Sequence, residues 1–286
     1  MRVSISKTNF MYNNASGSIA FMKTRYGPSL LCEEASAASI LEQTISLHAT
    51  RNFGKTGFRE VVLTVFTHQL PAVSYRILHI WKVAESSACS SVFFLTEPSP
   101  LHGTALKLVE YPYSENLKIR LKLPSNQNPI IVDPSDCHRS ILGTDFSYSD
   151  LRFWLPTRRF DFVRFTPEGV RCGFKLSTGG DVTVREARVV LDPTRWLPTT
   201  VEWLDAAGLP ERIYSATRLV SVDGVWTPRT ITVSRPKDQF QSVMTLRRAL
   251  HGIPIEPALF RTDYLTQLSE PVFEEWIRQA HVFLND

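Results

Sequence analysis

Asp145 and Asp150 stand five residues apart in Gly143-Thr144-Asp145-Phe146-Ser147-Tyr148-Ser149-Asp150-Leu151, with two serines and a tyrosine between them. Carboxylates beside hydroxyls at this spacing suit general acid–base chemistry or an anchor for a cationic head group. The same residues suit a structural task equally well: Asp145 capping a short helix, or accepting backbone N–H bonds in the turn. If the chain is an enzyme, Asp145, Tyr148, Asp150 and His102 are the catalytic candidates. His138 follows Cys137, near Asp133 and Asp136. Neighbours in an extended chain point to opposite faces, so Cys137 and His138 do not read as a nucleophile pair. His68 and His79 sit in strand patterns and read as structural or exposed. The chain carries no Gly-x-Ser-x-Gly, phosphate loop or dinucleotide fingerprint. Its four cysteines, Cys32, Cys89, Cys137 and Cys172, show no Cys-x-x-Cys spacing, so neither a zinc site nor a redox dithiol is expected. No metal or cofactor is implied.

The elements that must position these groups are mostly strands. Arg59–His68, Ser74–Ala84, Cys89–Thr96, Thr104–Val109 and Leu117–Leu123 are apolar runs parted by Pro- and Ser-containing turns. After an irregular stretch over 124–170, strands resume at Arg171–Leu176, Val182–Leu191, Thr199–Leu204, Glu211–Leu219, Trp226–Ser234 and Phe240–Leu250. Gly179-Gly180 and Asp223-Gly224 give hairpin signals between them. Short connections make antiparallel neighbours, so about 11 strands in series predict an antiparallel sheet. A long irregular stretch inside such a domain points to a lid or a functional loop, with a short helix over Ser147–Trp154. Glu33–Ala49 reads as a helix. Ser269 and Pro271 open a second, whose stripe is Phe273, Trp276, Ile277, Ala280, Phe283 and Leu284.

The formal charge of +4 is local: residues 1–32 hold Arg2, Lys7, Lys23 and Arg25 and no acid, and beyond them basic and acidic residues balance. A neutral body excludes a nucleic-acid face, which needs clustered cations. The basic arm, read as disordered, and the C-terminal helix are the places for contact with a membrane surface or a protein. The chain shows no secretory signal and no transmembrane span. The expectation is a cytoplasmic protein, or a periplasmic one if the true N-terminus lies upstream.

Several blocks, in order, resemble the outer-membrane lipoprotein-sorting protein family (LolA-like and LolB-like proteins). They are His102-Gly103-Thr104-Ala105-Leu106, Leu121-Lys122-Leu123-Pro124 and Leu142 through Leu151. There follow Leu191-Asp192 with Trp196-Leu197-Pro198, Glu202 and Asp205-Ala206-Ala207-Gly208-Leu209, then Val222 through Pro228, and Pro257-Ala258-Leu259-Phe260. The likeness spans roughly residues 33–268. Residues 269–286 form a separate C-terminal helix, and Ser125-Asn126-Gln127-Asn128-Pro129 replaces the family's aromatic stretch. The resemblance implies an α+β, β-dominated fold: one strongly curved antiparallel sheet, an unclosed β-barrel, with helices plugging its concave face.

Such a cup shelters acyl chains by burial, at about 0.8 kcal/mol per CH₂. The expected function is to bind a hydrophobic acyl, polyketide- or terpenoid-like molecule as a lipid or lipoprotein carrier. The expected ligand-lining aromatics are Trp81, Phe94, Phe146, Trp154, Trp203 and Trp226. One alternative is a cytoplasmic biosynthetic enzyme of the cyclase or isomerase type, using the same cavity to fold its substrate. Another is an envelope assembly factor.

Overall fold

A computed structural model describes residues 11–13, 18–20, 54–67, 70–86, 88–111, 114, 117–152, 160–176, 184–195, 197–238 and 240–283. The expected helix at Glu33–Ala49 lies outside them, as does most of the basic arm. Two short strands, β1 (Met11–Asn13) and β2 (Ser18–Ala20), pair with each other.

The remaining strands form one sheet. In chain order they are β3 (Thr56–Thr67), β4 (Leu70–Val83), β5 (Cys89–Glu97), β6 (Ala105–Glu110), β7 (Leu117–Lys122), β8 (Ile130–Val132), β9 (Phe162–Thr166), β10 (Gly169–Lys175), β11 (Glu186–Leu191), β12 (Pro198–Leu204), β13 (Pro210–Val222), β14 (Val225–Arg235), β15 (Phe240–His251) and β16 (His281–Val282). Neighbours along the sheet run β8-β7-β6-β5-β4-β3-β15-β14-β13-β12-β11-β10-β9, with β16 on the end of β15. Every pairing is antiparallel, and the sheet curves without closing. The chain winds outward from β3 to one edge, crosses to the other edge at β9, and winds back until β15 pairs with β3. The described part of the crossing, residues 133–152, lies on the concave side.

Eleven strands match the sequence expectation. The 14-stranded sheet adds β8, β9 and β16. The first two were hidden in the irregular stretch because each is short and flanked by prolines or aromatics. The expected C-terminal helix is corrected. Residues Glu270–Phe273 make one 3₁₀ turn, α1 (Glu274–Gln279) follows, and Ala280 turns extended so that His281 and Val282 pair with Ala249 and Arg248. Pairing with the end of β15, beyond its contact with β14, satisfies backbone groups that a frayed last turn would leave open. No helix among the described residues is long and apolar enough to cross a membrane.

Strand alternation sorts the side chains into two layers. The concave face carries Val61, Leu63, Tyr75, Ile77, Phe93, Leu106, Leu108, Val233 and Met244, and continues through Tyr214 to Val189, Val201 and Trp203. The outer face carries Phe58, Leu78, Ile80, Val92 and Phe94, covered by the C-terminal segment through Ile253, Leu259, Phe260, Leu265 and Phe273. An outer ion-pair network fastens that segment: Glu60 binds Arg76 (2.8 Å) and Arg248 (3.1 Å), and Arg76 reaches Glu270 (2.9 Å).

Candidate functional site

The segment Ser140–Arg152 lies on the concave face as a strap. It starts with a tight turn, in which Thr144 N–H donates to Ile141 O at 2.9 Å. Leu142 and Gly143 both sit in the left-handed region, at φ 52° and 74°. Glycine takes this conformation freely and leucine does not. Leu142 is held there by its own carbonyl, which accepts the Tyr75 hydroxyl at 3.0 Å.

Asp145 is almost wholly buried, and it is a fastening rather than a helix cap. One oxygen accepts Arg235 Nε at 2.8 Å and the other accepts Ser242 Oγ at 2.8 Å. The same Ser242 oxygen accepts the Asp145 backbone N–H at 2.9 Å, closing a reciprocal pair. Phe146 then enters the apolar layer and is 1% exposed. Ser147 caps a single 3₁₀ turn, Tyr148–Leu151, replacing the expected helix to Trp154. Asp150 Oδ2 accepts both the N–H and the hydroxyl of Ser147 at 2.8 Å and faces Arg212 Nε at 3.3 Å. Tyr148 is buried, and desolvation raises its phenol above the usual range. Arg152 ends the strap with a buried ion pair to Glu110 at 3.3 Å. Five strands of the far and near walls, β4, β6, β13, β14 and β15, thus meet one short segment.

A second set of polar groups sits further along the same face. Arg59 Nε donates to His79 Nδ1 at 2.7 Å. An Arg N–H can only donate, so Nδ1 keeps its lone pair and the His79 proton is on Nε2. His79 is fully buried and stacks on Phe93, with centroids 3.9 Å apart and planes at 4°. Burial, then the Arg59 charge, holds its pKa well below the usual histidine value, so the ring is neutral. Burial also pulls Arg59 down to about 10. Arg59 lies 5.6 Å over the Trp81 ring. Burial pushes the Tyr214 phenol up, and Cys89 is raised by burial and by nearby Glu110. Arg59 and Tyr214 are both half-buried. The pattern could have been read from charged residues at alternating positions in apolar strands, as in Phe58-Arg59-Glu60-Val61, where Arg59 and Glu60 take opposite faces.

A third feature is a cavity of about 210 Å³ beside the strap, lined by Asp145, Arg235, Arg212, Glu211, His138 and Arg139, among others.

The aromatics expected to line one pocket are distributed. Trp81 and Phe146 face the concave side. Trp81 lies flat on Gly57, where an added Cβ would come within 2.1 Å of the ring. Trp203 is on the same face at β12, flanked by His138 (5.4 Å) and Arg212 (5.4 Å). Phe94 points to the outer face and stacks on Phe273 at 5.5 Å. Trp226 is half-buried under Arg195, 4.1 Å away. Trp154 lies outside the described residues. His102 is half-exposed on the outer side, against Phe94 and Glu270. Among the described residues no cluster of His, Cys, Asp and Glu could hold a metal.

This curved, unclosed antiparallel sheet is the fold of lipoprotein-sorting, LolA-superfamily proteins. Three solved structures share it. An outer membrane lipoprotein-sorting protein domain from Vibrio parahaemolyticus is 14% identical, with a TM-score of 0.70, covering 81% of this chain and 99% of its own. A DUF1329 family protein from Desulfovibrio piger is 14% identical at 0.69, with the same coverage. A LolA superfamily protein from Nitrosomonas europaea is 15% identical at 0.58, covering 78% and 98%. At such identities the likeness establishes the fold. A family model described as "uncharacterized protein" matches residues 88–267, more than half of the chain, and the chain belongs to that family. No curated protein matches it in sequence.

Proposed function

We propose that the protein is a carrier that shelters an apolar ligand against the concave face of its sheet. The observation that carries this reading is how that face is covered. An apolar wall runs from β7 to β10, and among the described residues one strap lies over its centre and inserts Phe146 and Tyr148. Polar contacts to strands on both sides hold the strap in place. A permanent core would gain most from apolar packing of a helix or second sheet. A strap fastened by exchangeable ion pairs can lift and yield its place to an acyl chain. Asp145 and Asp150 are committed to holding the strap, which favours binding over catalysis by these carboxylates.

Native mass spectrometry of the gently purified protein, with displacement of a fluorescent fatty-acid probe, tests the proposal. A co-purified lipid, or probe binding that rises in Phe146→Ala, supports it. A protein that carries no lipid and binds no probe refutes it.

A further inference from the structure

We infer that the cavity beside the strap is a binding site for a small oxyanion, a phosphate or carboxylate group, held among Arg139, Arg212 and Arg235. Three guanidinium groups line this one space of about 210 Å³. That is the volume of about seven waters of the liquid, so it admits a phosphate group with part of its hydration.

Arg212 is the decisive residue. Its side chain is 7% exposed, yet its contacts are all long. Nη1 to His138 O is 3.3 Å and Nη2 to Ser149 Oγ is 3.4 Å, both beyond the usual range of about 2.7–3.2 Å. Nε is 3.3 Å from Asp150 Oδ2 and makes no hydrogen bond. Asp150 Oδ2 already accepts two bonds from Ser147. A buried guanidinium without one short bond is expensive, and an oxyanion is the partner its planar fork fits. Arg139 gives Nε to Asp136 at 3.0 Å, and Arg235 gives Nε to Asp145 at 2.8 Å. The Nη nitrogens of Arg139 make no hydrogen bond among the described residues, and Arg235 Nη1 has only a long ion pair with exposed Asp238, at 3.5 Å.

The lining also holds Asp136, Asp145 and Glu211. Asp145 has both oxygens engaged and Asp136 faces Arg139. Glu211 is the third carboxylate of the lining and adds negative charge against an anion. The site stands independently of the apolar trough: an anion can bind whether or not the concave face carries a lipid.

The test uses the full chain and two probes, inorganic phosphate and a monoacyl phosphate, with a neutral monoacylglycerol as control, read by titration calorimetry. Arg139→Gln, on a residue 75% exposed, leaves the fold intact and weakens phosphate binding about tenfold. Arg212→Gln abolishes it, and Glu211→Gln strengthens it. If the monoacyl phosphate binds at least tenfold tighter than phosphate, with the same arginine dependence, the anion is a lipid head group. If the two bind alike, it is a free oxyanion. Absence of phosphate binding at tens of millimolar, or binding that Arg139→Gln and Glu211→Gln both leave unchanged, overturns the assignment. Apolar-probe binding measured in parallel reports on the carrier reading separately.

Discussion

Replacing Asp145 isolates the fastening of the strap. Asp145→Ala removes a buried carboxylate that accepts two hydrogen bonds, from Arg235 and from Ser242, each at 2.8 Å. Bonds to a charged group contribute about 1.5–3 kcal/mol each. The Arg235 side chain is 37% exposed and can rehydrate, so its share is discounted to about 1 kcal/mol. Ser242 is wholly buried and keeps only the Asp145 backbone N–H as a partner, so its share is counted at about 2 kcal/mol. The expected loss is about 3 kcal/mol. Asp145→Asn keeps one oxygen for Ser242 but turns an NH₂ toward Arg235, for a loss of about 2 kcal/mol. Urea unfolding followed by tryptophan fluorescence measures both. A double-mutant cycle with Arg235→Gln extracts the pairwise part, expected near 1 kcal/mol. Losses below about 0.5 kcal/mol in both variants, or no coupling to Arg235, would show that Asp145 does not hold the strap.

Gly57→Ala forces the Trp81 ring off its seat, and the expected cost is about 1–3 kcal/mol with altered tryptophan emission; a variant as stable as the parent refutes the packing. His79 is neutral when folded, with its pKa depressed, and takes a proton near pH 6.5 when unfolded. Its contribution is therefore full above pH 6.5 and is lost as the pH falls, at up to about 1.4 kcal/mol per unit; His79→Gln should flatten the difference in urea midpoints between pH 7 and pH 5. Burial raises the thiols of Cys89 and of Cys172, the latter to about 12. Neither should react with a thiol reagent at pH 8 until the chain is unfolded, whereas half-buried Cys137 should react before either of them, as peptide mapping would show.

Strands such as Thr56–Thr67 and Phe240–His251 were legible because one-face burial writes an alternation into the sequence. The faces themselves were less so. Phe93 and Phe94 are chemically alike, and only the register of β5 sends one to the concave side and the other beneath the C-terminal segment. The strap was visible as a polar, turn-forming run, and its helical turn was expected. Its partners were not: Arg235 and Ser242 lie 90 and 97 residues away, and no local pattern links them to Asp145. The Arg59–His79 pair was missed for a related reason, since a histidine in a strand looks the same whether it faces water or a stacked phenylalanine.

The sheet has two ends. In a closed barrel, strand number and stagger fix the diameter, and widening it breaks ladder hydrogen bonds. Here β8 and β9 are not joined to each other, so the two walls can spread or approach with every ladder intact. The gauge of the opening is then set by the cross-ties, chiefly Glu110 with Arg152 from β6 and Arg212 with Asp150 from β13. Only Leu151 separates Asp150 from Arg152, so neighbouring strap residues reach opposite walls. On the carrier reading proposed above, guests of different girth would be met by resetting a tie rather than by rebuilding the sheet.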